Sequence, residues 1–86
     1  MAGLVTFSGH AREQMRERDL SEEDVAQTVQ SPDQVIALGK RQIAQRRVRH
    51  GGKECLLRVV CEQAEDRVTV ITVYRTSRVS KYWREE

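Results

Sequence analysis

CLLRVVCE (residues 55–62) and VTVITVYR (residues 68–75) decide the fold. Both are rich in Val, Ile and Leu, both have strand length, and Gln63 to Asp66 supply a turn between them. Two such runs joined by so short a connection predict an antiparallel pair. In the first, Cys55, Leu57, Val59 and Cys61 alternate with a set that includes Arg58 and Glu62, so the all-apolar set is expected to face the core. In the second, Thr69, Ile71 and Val73 form one set and Val70, Thr72 and Tyr74 the other, which is half polar and is expected on the open face.

Upstream, the same period continues. Gly51-Gly52 is a strong hairpin signal, preceded by a weakly apolar strand from Gln42 to His50. Val35 to Leu38 read as a further strand, with Gly39-Lys40 as its turn. Ahead of Pro32 the period becomes helical. Ser21 is followed three residues later by Asp24, close to a capping box, and Val25 and Val29 lie at i, i+4 spacing. Ser8 is an N-cap for an earlier helix running through Arg18, and Leu4 to Phe7 make a short strand or a staple against it. The tail from Ser77 to Arg84 suits a final helical turn or an edge strand. The expected fold is therefore α+β: two N-terminal helices packed on a roughly four-stranded antiparallel sheet, as one domain over residues 1–86.

Size and composition agree. The chain has 86 residues, 38% apolar and 33% charged, enough for one hydrophobic core. No apolar run approaches the roughly 20 residues that cross a bilayer, so no membrane partner is expected. Met1 to Val5 lack a basic stretch ahead of an apolar one, so no signal peptide is expected, and a cytoplasmic chain is the default. Cys55 and Cys61 lie six residues apart in one strand, on the order of 20 Å, beyond the roughly 7 Å between Cα atoms that a disulfide spans. They read as small buried core residues. With no HxH, HExxH or CxxC pattern and no phosphate-cradling glycine loop, neither metal nor cofactor is expected.

Charge is uneven although the net is only +2. Residues 40–53 carry Lys40, Arg41, Arg46, Arg47, Arg49 and Lys53 with no acid, and residues 67–84 add five more basic residues, again with no acid. Acids gather in the helical half. A basic sheet suits a polyanion, because phosphate contacts supply most sequence-independent affinity. The same residues also suit a solvated strand face. His10 falls in the first turn of a helix, with Gln14 about 40° and Arg18 about 80° from it around the wheel. A histidine beside a cation can serve as acid or base on a phosphodiester, or be purely structural. His50, ahead of Gly51-Gly52, reads as a turn residue. Tyr82-Trp83 can stack on bases or close the core.

SGHAR (8–12), then MRERDLSEEDV (15–25) and ITVYRTS (71–77) with Lys81-Tyr82 after it, resemble a family of small bacterial and phage proteins known as a domain of unknown function. Its pattern is a His-Ala-x-x-x-Met-x-x-Arg helix, a short turn and a Ser-x-x-Asp-Val helix start. The likeness covers nearly the whole chain. That family is grouped with the barnase–EndoU–colicin–RelE superfamily, whose fold is two helices on a four-stranded antiparallel sheet and many of whose members are metal-independent ribonucleases, often toxins restrained by a partner. The resemblance implies a RelE-like endoribonuclease with His10, Arg18, Thr72 and Tyr74 as catalytic candidates, acting on RNA and bound by an acidic antitoxin-like protein. Arg46, Arg47, Arg49, Arg58 and Arg75 enter as nucleic-acid-binding candidates because they are basic strand residues. The alternatives are a non-catalytic nucleic-acid-binding module and a protein-interaction module.

Overall fold

The computed structural model describes residues 3–85; Met1, Ala2 and Glu86 lie outside the described residues. The elements are β1 (Leu4–Phe7), α1 (Gly9–Glu17), α2 (Glu22–Gln30), β2 (Gln34–Leu38), β3 (Arg41–His50), β4 (Lys53–Ala64), β5 (Arg67–Thr76) and a single helical turn, α3 (Val79–Tyr82). The strands form one sheet in the order β1-β5-β4-β3-β2. The architecture is α+β, but with five strands in a mixed sheet and three helices rather than four antiparallel strands and two.

The fifth strand is the N-terminal one. β1 pairs parallel with β5, Leu4 beside Arg67 and Phe7 beside Val70. Gly3 fixes its start: at φ +123° it lies so close to the turn that a Cβ there would sit 2.4 Å from the Asp66 carbonyl oxygen, while the Leu4 N–H donates to that same oxygen. Where β1 ends, α1 takes over the edge. The Ser8 N–H donates to the Val70 carbonyl, and the Ser8 hydroxyl donates to the Ile71 carbonyl while accepting from the Ala11 N–H. One turn on, Gln14 Oε1 accepts from the Val73 N–H at 2.9 Å. The expected N-cap thus serves two structures at once, since a buried sheet edge needs partners for its backbone.

Both long helices pack on one face, α1 over β5 and α2 over β4 and β3. Ala11, Met15, Val25 and Val29 meet Leu57, Val59, Cys61, Val68, Val70 and Val73 there. The β4 faces are as expected, and both cysteines are buried and outside any disulfide. Burial pushes the Cys61 thiol above its ordinary pKa, because the thiolate is the form that loses solvation. β5 departs from simple alternation. Opposite the β4 step from Val60 to Cys61, the register moves from Thr72 to Val70, so Ile71 is an extra residue in a bulge. The parity of β5 changes there, which puts Val68 and Val70 in the core together with Val73. No helix among the described residues is long and apolar enough to cross a membrane.

The second sheet face is not open. α3 and Trp83 fold over it, leaving Leu56 and Gln45 fully buried and Arg58 only 5% exposed. Gln45 Nε2 donates to Gln34 Oε1 and to the Tyr82 carbonyl, tying β3 to β2 and to α3.

Candidate phosphate-binding cleft

β3, β4 and β5 run past the helices at one end, and the α1–α2 turn closes over that end. The turn is set by a Schellman arrangement. Asp19 takes φ 53°, the Leu20 N–H reaches back to the Met15 carbonyl at 2.8 Å, and the Asp19 N–H to that of Arg16 at 3.4 Å. Between turn and strand ends lies a cleft of about 310 Å³.

Its strand wall is a row across three strands. Arg46 on β3 pairs with Leu57 on β4, which pairs with Arg75 on β5. With strands about 4.8 Å apart, the two arginine Cα atoms stand roughly 10 Å from each other across an apolar floor. His50 and Arg49 come from the end of β3, and Asp19 and Asp24 from the turn and the first turn of α2. Arg49 Nη2 donates to the Gly52 carbonyl, which holds it at the rim.

The chemistry of the cleft is set by one contact. Arg75 Nη2 lies 3.2 Å from His50 Nε2. A guanidinium only donates, so where this contact is a hydrogen bond Nε2 is the acceptor. Arg46 Nε is buried without a hydrogen-bond partner among the described residues. The ion pairs among the described residues are Arg12–Glu22, Arg41–Glu62 and Arg47–Glu54, and none uses a residue of the cleft. Three guanidiniums and an imidazole therefore share one concavity without an ion-paired carboxylate among the described residues closing it.

The nucleic-acid candidates divide between the faces. Arg46, Arg49 and Arg75 line the cleft. Arg58 faces the other way, with Nη1 donating to the Tyr74 hydroxyl at 2.7 Å and its guanidinium carbon 4.1 Å from the Tyr82 ring centre and 5.6 Å from that of Tyr74. Arg47 lies 4.0 Å over the Trp83 ring. Tyr82 and Trp83 thus close the second face by stacking on arginines of the same chain.

The four catalytic candidates are not brought together. His10 is exposed in the first turn of α1, and Arg18 is the exposed C-cap of that helix. Thr72 and Tyr74 flank core residue Val73 and so point away from the helices, Tyr74 into the Arg58 cluster. The sheet separates the two pairs. His50 is the residue that sequence reasoning misses, because a histidine before Gly-Gly reads as part of a turn. The available signal is its position two residues beyond Val48, on the Arg46 side of the strand.

The model of a domain family of unknown function, DUF4258, matches residues 7–75, most of the chain. No curated protein and no solved structure matches it.

Proposed function

The chain belongs to this DUF4258 family, and from that premise we propose that it is an RNA-acting, RelE-like domain that holds a phosphodiester in the cleft and cleaves it without a metal. The observation that carries this reading is the convergence of Arg46, Arg75 and His50 on one concavity with no ion-paired acid among the described residues. Arg46 and Arg75 bind the phosphate, and Arg75 in doing so releases His50 Nε2. That nitrogen takes the proton of the adjacent 2′-hydroxyl. The 2′-oxygen bonds to phosphorus, the bond to the 5′-oxygen breaks, and the departing oxygen takes a proton from water. The guanidiniums stabilise the doubly charged phosphorane, where charge is greatest. An acidic antitoxin-like partner would engage the same cationic wall and compete with RNA.

Cleavage of single-stranded RNAs by wild type, His50→Ala and His10→Ala tests the reading, with EDTA present. His50→Ala is expected to lower the rate about 10²-fold, the usual range for one acid–base group, with RNA affinity retained. Full activity in His50→Ala alongside an inactive His10→Ala would move the reaction to the motif helix. RNA bound but never cut by the wild type would leave a binding module.

A further inference from the structure

The two long edges of the sheet are treated differently. Beyond β5, β1 covers the first half of the edge, and Ser8 and Gln14 hydrogen-bond part of the remainder. At the other side, β2 has no strand neighbour but β3 among the described residues. An edge strand turns half of its N–H and C=O groups outward, and proteins usually guard it with charge, proline, a bulge or a covering segment. β2 reads QVIAL, without a charge or a proline, and it meets β3 in unbroken register. Val35 and Leu38 are 47% and 59% exposed.

We infer that β2 pairs antiparallel with β2 of a second copy of this chain, about a twofold axis at Ile36, joining two sheets edge to edge. In that register Gln34 stands opposite Leu38 of the second copy and Val35 opposite Ala37 of the second copy, so each exposed apolar side chain gains a neighbour. Charge selects a second copy as the occupant. Asp33 immediately precedes the strand and Lys40 follows its turn; both are exposed, and neither is in an ion pair among the described residues. Asp33 Oδ2 accepts from the Arg47 N–H at 2.8 Å, which holds the carboxylate on the β3 side of the strand end without neutralising it. The twofold sets Asp33 opposite Gly39, beside Lys40 of the second copy, and does so twice. An acidic strand from another protein would meet Asp33 unfavourably at one end. Five residues span about 17 Å, and so short a seam buries less than the roughly 1,200 Å² of stable complexes. The association is therefore a reversible monomer–dimer equilibrium with closed symmetry.

Sedimentation equilibrium of the full chain from about 10 µM to 1 mM should show the mass rising from 9.9 kDa toward the dimer value. Over the same range, amide exchange should slow in β2 and not in β1. Val35→Lys should leave a monomer. Lys40→Asp, which faces Asp33 with a second acid, should weaken association about tenfold or more, and Asp33→Lys combined with Lys40→Asp should restore it. A mass that stays monomeric throughout, dimers indifferent to Val35→Lys, or β2 exchange that does not depend on concentration would each overturn the inference. The exchange measurement needs no variant to fold, and none of these readouts depends on RNA.

Discussion

Arg58 and Arg75 are neighbours in the sheet, one on β4 and one on β5, and they have opposite fates. Arg58 points to the α3 side, where two tyrosine rings and a hydroxyl take up its guanidinium. Arg75 points to the helix side beyond the helices, where it contacts the His50 imidazole. The same contrast holds on β3 between Arg47, stacked on Trp83 and within 3.8 Å of Glu54, and Arg46, which makes no ion pair among the described residues. A count of arginines therefore does not measure a binding surface. What matters is how many donors the fold leaves uncommitted.

Three experiments can break or sharpen that contrast. The largest effect is expected from Arg58→Ala, which removes a charged hydrogen bond and two ring stacks from a buried site. A cost of about 3 kcal/mol follows, read as a lower midpoint in urea unfolding, with RNA affinity per folded molecule unchanged. If RNA affinity falls and stability does not, the assignment of the two faces is reversed.

Arg46→Ala with Arg75→Ala is the converse. Stability should change by less than about 1 kcal/mol, while the dependence of RNA affinity on salt should flatten by roughly 0.7 log units for each phosphate no longer bound. An unchanged salt slope in filter binding would remove phosphate from the cleft.

The smallest effect belongs to Trp83→Ala. The Arg47 stack is half exposed, so removing it should cost only about 0.5–1 kcal/mol in a thermal melt and leave cleavage unaltered. A larger drop in RNA affinity than in stability would make Trp83 a base-stacking residue.

The elements written in local code were legible in the sequence. Ser8 and Ser21 cap the two long helices, their side chains accepting from Ala11 and Asp24, and Gly51-Gly52 turn with φ of 60° and 77°. The basic character of β3 was equally plain, and Arg46, Arg49 and Arg75 from it and β5 do meet. What could not be read depended on distant partners. β1 is four residues long and finds β5 some 60 positions away, with no local signal that the pairing is parallel. Arg58 reads as solvated because charge in a strand usually is. Its burial needs Tyr74 and Tyr82, which are separated from it by 16 and 24 positions. The separation of His10 from Tyr74 also follows from which face each strand residue takes, and that face is set by a bulge containing no glycine.

That bulge acts as a phase shifter. Ahead of Ile71 the side chains of β5 follow one odd–even rule, and beyond it they follow the other. Because of this single inserted step, one strand can present Val68 and Val70 inward and still deliver Arg75 to the same side five positions later. Uninterrupted alternation over the same residues would instead turn Tyr74 into the cleft and Arg75 toward the rings around Arg58. The extra residue also gives the strand one unit of slack. A deletion of Ile71 irons the bulge flat and leaves every outer side chain on its present face, whereas a one-residue insertion beside it has no such reserve to draw on. Length changes at this point of the gene are therefore asymmetric: the loss of one codon removes the unpaired residue, whereas the gain of one keeps Arg75 on its side but leaves two residues unpaired opposite β4.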